Sequence, residues 1–327
     1  MSILRSSSRH NVAGAGALKH SRETSGLIAG IAAFATWGFI PGYWKLLQTI
    51  PAPQILAHRF AWTSLFLVGL LSIQKRWSEV QNIFQSRRAT LFCVAAGIAV
   101  ATNWFFFIFA VIIGRVLETS LGYFMTPLVN VLFGATFLRE RLTRWQLISV
   151  LLATTAVLFL TFGYGHFPWI ALVLCSSFGL YGLLRKKSAT AAIPGLFIET
   201  IALLPIALVY LICLNAPGTF AFGPANFSLS ILLMTTGVVT AVPLLWFGHA
   251  TRNLRLTTLG FLQYLAPTGS FFLGVFVYHE PFTRGHLITF GLIWIALIIF
   301  TAEAVLRWRS TRVREIDTVA FEASALD

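Results

Sequence analysis

Pro127–Arg144, PLVNVLFGATFLRERLTR, returns at a shift of 140 as Pro267–Arg284, PTGSFFLGVFVYHEPFTR. At that shift Pro127, Gly134, Glu140, Thr143 and Arg144 fall on Pro267, Gly274, Glu280, Thr283 and Arg284, and Leu121-Gly122 corresponds to Leu259-Gly260 after a two-residue slip. At shifts of 140 to 141, Gly97 meets Gly237, Pro53 meets Pro194, and Trp37-Gly38 meets Phe178-Gly179. A nearly constant offset across four pairs of segments marks an internal duplication, and the composition says what was duplicated.

Of the 327 residues, 57% are hydrophobic and only 11% charged, with a mean hydropathy of +0.79. A soluble domain carries roughly a quarter of its residues charged. A helix needs about 20 apolar residues to cross the hydrocarbon core. Ten runs meet that need: 26–48, 53–73, 90–113, 117–138, 145–162, 168–185, 194–214, 229–250, 257–278 and 286–306. The fold expected is therefore all-α and polytopic, with ten transmembrane helices. Residues 26–162 hold the first five and 168–306 the second five. Five is odd, so the second half must lie inverted in the bilayer, a recurrent transporter plan with the solute site between the halves. Residues 1–25 and 307–327 read as cytoplasmic tails, the first without the apolar core and cleavage site of a secretory signal.

Loop charge gives the orientation. Twenty of the 24 Lys and Arg residues sit in six stretches on one side, among them Lys75 to Arg88, Arg139 to Arg144, Arg185 to Lys187 and Arg252 to Arg255. The other side has Arg115 and Arg284. Basic loops stay cytoplasmic, so both termini are expected there. The net charge of +13 is spread over these loops, which suits anionic lipid head groups and gives nucleic acid no basic domain to bind. Cys93, Cys175 and Cys213 lie inside apolar runs with no metal-type spacing, and read as small buried side chains.

Ala35-Thr-Trp-Gly-Phe-Ile-Pro41, His58-Arg59, Tyr181-Gly-Leu-Leu-Arg-Lys-Lys187 and Leu259-Gly-Phe-Leu-Gln-Tyr264 accompany the run Leu117-Glu-Thr-Ser-Leu-Gly-Tyr-Phe-Met-Thr-Pro127-Leu-Val-Asn130. Together they resemble the RarD branch of the EamA family, in the drug/metabolite transporter superfamily, over essentially residues 25 to 306. The resemblance implies a bacterial inner-membrane permease of ten helices in a 5+5 inverted arrangement. Related families export amino acids and other metabolites or exchange phosphorylated sugars. Family members often carry an acidic residue where this chain has Gln54, so a proton-coupling role at that position does not carry over.

Ionisable groups inside a bilayer are costly and usually face a polar cavity. Lys45 is placed near the outer end of the first crossing. His58 and Arg59 lie roughly 8–10 Å in from the outer end of the second, and Glu118 opens the fourth. One reading is an outer vestibule whose excess positive charge favours a carboxylate or phosphate. The plainer one is that Lys45 snorkels to the interface and Arg59 pairs with Glu118. Glu199 is the repeat counterpart of His58, near the inner end of the seventh crossing. Left unpaired, its carboxylate suits it to carry a proton between the two faces. His58 shares that aptitude, since imidazole titrates near neutrality. Alternatively Glu199 pairs with Arg185, Lys186 or Lys187.

Pro41, Pro127, Pro205, Pro243 and Pro267 interrupt apolar runs, where proline frees a backbone carbonyl. The repeat-related Pro127 and Pro267 suggest paired hinges, with Pro41 and Pro243 as further candidates. Asn103, Trp104, Tyr123, Asn130, Gln263 and Tyr264 are candidates to line the path, together with Trp37, Tyr43, Trp44 and Trp246. Asn103 and Asn130 serve equally well as hydrogen-bonded glue between helices. Gly26-x-x-x-Gly30 and Gly38-x-x-x-Gly42 permit close helix contact. No phosphate-binding loop is present, and His279-Glu280 fails the zinc pattern because the next histidine is His286. Asn226-Phe-Ser228 matches a glycosylation acceptor that carries no meaning in a bacterial protein. No enzyme, metal or cofactor is expected. The partners are a small solute, the lipid bilayer and, where transport is coupled, protons. The function expected is alternating-access export of a small metabolite or drug-like solute, coupled to protons. An uncoupled facilitator or exchanger of an anionic metabolite, a channel and a non-transporting intramembrane scaffold are the alternatives.

Overall fold

The computed structural model describes residues 3–138, 141–163, 165–188, 190–214, 222–223, 226–254 and 262–324. Arg139, Glu140, Arg255 and the Leu259-Gly260 pair lie outside them. Every described regular element is a helix, as a backbone with no water to bond in hydrocarbon requires. In chain order these are α1 (Ile3–Leu46), α2 (Ala52–Ile73), α3 (Trp77–Gln85), α4 (Arg87–Ile112), α5 (Val116–Leu138) and α6 (Arg144–Leu158). They continue with α7 (Trp169–Ser188), α8 (Ala192–Cys213), α9 (Phe227–Asn253), α10 (Leu265–Phe272) and α11 (Arg284–Ser324). A π-helical turn, Phe159–Gly163, extends α6, and another, Leu273–Val277, extends α10.

Among the described residues eight helices are long and apolar enough to cross a membrane, in α1, α2, α4, α5, α6, α8, α9 and α11. Trp169–Arg185 and Leu265–Val277 are apolar but shorter. Among the described residues eight of the ten runs read from sequence are thus helices of crossing length and two are shorter, residues 257–261 of the ninth run lying outside them. Large apolar side chains cover the outside, with Ile73 and Phe162 each 82% exposed and Phe227 70%. A helix apolar on all faces belongs in lipid or a large core.

Local chemistry sets the helix starts. Pro51 and Pro53 open α2, where the first-turn amides have no intrahelical acceptor to lose. Ser86 Oγ accepts from Ala89 N at the start of α4. Thr143 and Gln146 cap α6 reciprocally. Thr283 and His286 do the same for α11: the Thr283 hydroxyl accepts from His286 N, and His286 Nδ1 accepts from Thr283 N, both at 3.3 Å. The repeated Thr-Arg pair is therefore a helix-start signal, with histidine standing in for glutamine.

Three sequence expectations change. The N-terminal tail is not separate from the first crossing but continuous with it as one helix from Ile3. It contains no proline before Pro41, and extending a helix already nucleated by an apolar run costs little. Likewise α11 continues through the polar residues after Leu306 to Ser324. Finally, the loop between α2 and α4 holds α3, which buries Val80 and Ile83 and is tied down by an Arg76–Glu79 pair at 2.5 Å.

Packing follows a regular scheme. α4 lies against α7 and α8, α5 against α7, and α2 against α8 and α9. α1 lies against α9 and α10, α6 against α11, and α5 against α10. Two glycines related by the repeat sit where backbones approach closest. A Cβ on Gly97 of α4 would stand 2.8 Å from the Glu199 carbonyl oxygen of α8. One on Gly237 of α9 would stand 2.5 Å from that of Trp62 in α2. Gly237→Ala is expected to lower stability by about 1–3 kcal/mol through overpacking, seen as a fall in melting temperature in detergent. Gly69→Ala, which meets nothing within 4 Å, stays within about 0.5 kcal/mol of the parent or gains slightly.

Candidate functional site

α4 serves as a ruler for the interior. Gly97, near its first third, touches Glu199. Trp104, seven residues on and so about 10 Å further at the helical rise, carries the Arg59 guanidinium on its ring face, 3.7 Å from the centroid. Ile112 ends the helix, about 12 Å beyond Trp104 by the same rise. Arg59 therefore lies between the helix ends rather than at one of them.

The Arg59 side chain comes from α2 and is held by two rings. The ring of Trp44 of α1 is the second, 5.1 Å from it. Arg59 is 6% exposed and Trp44 fully buried. Stacking on indole faces partly replaces lost hydration. Arg59 forms no ion pair among the described residues, and its Nε has no acceptor. Tyr43 and Tyr123 lie within its electrostatic reach.

Around this cation runs a belt of hydrogen bonds between helices. Asn103 Nδ2 donates to the Leu174 carbonyl at 3.0 Å and to Ser177 Oγ at 3.2 Å, joining α4 to α7. Tyr123 of α5 donates to Asn103 Oδ1 at 2.9 Å. Tyr43 of α1 donates to the Leu232 carbonyl of α9 and lies 3.0 Å from Thr235 Oγ1. The structure thus gathers Tyr43, Trp44, Arg59, Asn103, Trp104 and Tyr123 into one neighbourhood.

Two buried ion pairs flank it, at opposite ends of α4. Glu199 Oε1 accepts from Arg185 Nη1 at 2.9 Å, with Glu199 fully buried. Arg185 also reaches Thr190 Oγ1, and Thr190 in turn lies 3.7 Å from Cys93 near the start of α4. Gly195, one turn before Glu199, leaves the room: a Cβ there would overlap the Arg185 guanidinium. At the far end Glu118 pairs with Arg115 and stands 3.5 Å from His166, which is 3.0 Å from Arg115 and stacked edge-on to His286. Burial and the neighbouring guanidinium hold the His166 imidazole below its usual range. Glu280 caps α5 there, accepting from Val116 N at 2.6 Å and Leu117 N at 2.8 Å. A carboxylate at a helix N-terminus satisfies free amides and meets the positive end of the dipole.

Several sequence expectations are corrected. Glu118 pairs with Arg115, not Arg59, because the i,i+3 spacing puts the two on one helical face. Lys45 does not join Arg59 in a common vestibule: its Nζ donates to the Val111 carbonyl at 3.3 Å and lies 5.5 Å from the Tyr278 ring. Of the two readings open for Glu199, the structure has the pairing, with Arg185. Pro267 stands in the first turn of α10, where it costs no hydrogen bond, while Pro41, Pro127, Pro205 and Pro243 are inside helices. Asn130 is exposed and bonds to no other helix among the described residues, its Oδ1 lying over Gly179. His58 packs on Phe222. Tyr264 stacks on Phe124 and, with the neighbouring Gln263, belongs to the α10 region away from Arg59. Trp37 packs between Phe34 and Phe247. Arg115, His166, His286 and the cap by Glu280 were missed; only the Arg115-x-x-Glu118 spacing signalled any of them. No group of three His, Cys, Asp or Glu side chains gathers as a metal site among the described residues.

The EamA-like transporter family profile matches residues 24–162. Protein RarD of Salmonella typhi is 43% identical over 287 residues, covering 88% of this chain and 97% of that one. The chain belongs to the EamA-like transporter family, in its RarD branch. An uncharacterized transporter of Bacillus subtilis, YojE, is 40% identical, covering 89% and 98%. The chloramphenicol-sensitive protein RarD of Pseudomonas aeruginosa is 31% identical, covering 84% and 92%. One solved crystal structure superposes with a TM-score of 0.52 over 84% of this chain and 96% of that one. At 17% identity it shows the fold alone. This RarD-type permease is thus a multi-pass bacterial membrane protein.

Its Arg185–Glu199 pair sets an ordering of variants. Arg185→Ala strands a buried carboxylate and is expected to cost about 3–5 kcal/mol. Glu199→Gln is expected to cost less, and adding it to Arg185→Ala to recover part of the loss. Thermal unfolding of the four purified proteins reads the order directly.

Proposed function

We propose that this permease is a secondary transporter of the bacterial inner membrane, with ten crossings, both termini cytoplasmic and two inverted five-helix halves rearranging around Arg59. The mirrored packing carries this reading. The shift of 140 takes α1 to α7, α2 to α8, α4 to α9, the α5 segment to α10 and α6 to α11. The helix starts Ala52, Arg87 and Arg144 fall on those at Ala192, Phe227 and Arg284. The contacts follow: α4 with α7 mirrors α9 with α1, and α2 with α9 mirrors α8 with α4. The pairs α2 with α8, α5 with α10 and α6 with α11 map onto themselves. Two related halves meeting face to face supply two alternative closures, one at each end, around a shared interior.

Export of a small solute against protons entering through Glu199 is the coupling scheme. Glu199 is fully buried, and its Oε2 has no hydrogen-bond partner, so a proton has somewhere to bind. A second reading, exchange without proton coupling, draws on the same site: the Arg185 bond already compensates the carboxylate.

One experiment separates them. A thermal-shift screen of the purified protein against amino acids, organic acids and sugar phosphates identifies a solute, which is then followed in proteoliposomes. Coupled export is expected to give accumulation that requires a pH gradient. Glu199→Gln is expected to abolish that accumulation and to leave counterflow exchange intact. Equal accumulation with and without the gradient overturns the coupled reading in favour of exchange, and absence of flux for every stabilising solute overturns both.

A further inference from the structure

We infer that the Arg59 cage is a binding site for a small singly charged carboxylate, held on its two oxygens by the guanidinium edge and the Trp44 indole N–H. The inference rests on the transporter reading and names the chemistry of the solute.

Its first support is an unmatched charge. Burying a guanidinium without a counter-ion is expensive, and native structures pair such groups or place them at a ligand. Among the described residues the buried carboxylates have partners, Glu118 in Arg115, Glu199 in Arg185 and Glu303 in the Gln146 amide, and the half-buried Glu280 accepts from two backbone amides. Arg59 has the rings of Trp104 and Trp44, which carry no formal charge. A ring face against a guanidinium engages its π face and supplies no hydrogen-bond acceptor to its N–H groups.

The second support is a surplus of donors. Arg59 Nε and Trp44 Nε1 are both buried and neither has an acceptor; both can only donate. Thr63, one turn further along the same face of α2, is fully buried with its hydroxyl unpartnered. Nearby acceptors are already engaged, Asn103 Oδ1 by Tyr123 and the Leu232 carbonyl by Tyr43. Two buried groups that can only donate and have no acceptor call for a ligand that accepts.

Charge count and shape narrow the class. The cage holds one cation, because Lys45 is bound at Val111, two helical turns beyond Trp104 on α4. A phosphate dianion would leave a net negative charge buried. Among the described residues no carboxylate pairs with Arg59 to receive the ammonium of a zwitterion. A carboxylate is planar, carries one charge and matches the two-pronged guanidinium edge.

The test uses full-length protein in nanodiscs, titrated calorimetrically with formate, propionate and benzoate, with propionamide, benzamide, glycine and inorganic phosphate as comparisons. At least one carboxylate is expected to bind saturably, and at least about tenfold more tightly than its amide, glycine or phosphate. Arg59→Met is expected to weaken that binding at least about tenfold. The same variant keeps or raises the melting temperature, because it removes a buried charge that pairs with nothing. Failure of all three carboxylates to bind overturns the inference. So does glycine or phosphate binding equally well, undiminished binding by Arg59→Met, or a fall in its melting temperature of the size a broken structural ion pair gives. Flux of an amine or neutral solute through Arg59→Met proteoliposomes removes the carboxylate assignment and leaves the transport reading standing. Carboxylate binding without flux does the reverse.

Discussion

A charge carried into a low-dielectric interior must be answered by another charge, by hydrogen bonds or by a ligand. Three of the buried charges among the described residues sort along α4 by how they are answered. At one end the Glu199 carboxylate meets the Arg185 guanidinium, and at the other Glu118 meets Arg115. Between them Arg59 has two aromatic faces and no anion among the described residues. The ends are satisfied as a structure needs, and the middle is left short as a binding site needs. Where local rules are broken without compensation, function is the usual reason.

The satisfied ends depend on small residues as much as on charged ones. Gly97 lets α4 come against the backbone of Glu199, and Gly195 leaves the volume that the Arg185 guanidinium fills. Without that space the carboxylate and its cation, on different helices, could not meet. Gly237 performs for α9 and α2 what Gly97 performs for α4 and α8. In lipid, helices gain little from burying apolar surface against one another, so close backbone contact and buried polar bonds hold them together. The Asn103, Tyr123 and Tyr43 bonds act in this way, tying α4 to α7, α5 to α4 and α1 to α9 around the cation.

What was legible in the sequence is what depends on nearby residues. Apolar runs marked the helices, and Thr143 and Thr283 stand at two helix starts that the structure caps as expected of Thr followed by a side chain able to reach back. Family membership was legible in the Glu118 to Asn130 run. What depends on rotation about a helix axis was not. Lys45 and Arg59 looked like neighbours because both lie near the same end of adjacent runs, yet packing directs one to a carbonyl at Val111 and the other onto Trp104. For Glu199 the sequence offered three basic partners, Arg185, Lys186 and Lys187, and only the fold brings Arg185 to it. α3 escaped notice because Val80 and Ile83 supply only a short apolar stripe in a polar loop, too little to signal a helix without the tertiary contacts that cover it.

The duplication preserved geometry and let the chemistry of its ends diverge. At shifts of 140 and 141 the counterparts of Arg185 and Glu199 are Lys45 and His58. Both of these are bases, so the second position cannot hold the ion pair found at the first. Lys45 instead bonds a backbone carbonyl, and His58 lies on Phe222. Two ends with the same pair would be nearly equal in energy and equally easy to open. Replacing the acid by a histidine removes that equality: one end is fixed by a buried charge-assisted bond, whereas the other relies on Glu280 capping α5 and on Arg115 with Glu118. The contacts that close one end are therefore of a different kind from those that close the other. In the proposed alternating-access cycle, opening either end would break a different set of bonds, and the two faces would then differ in energy.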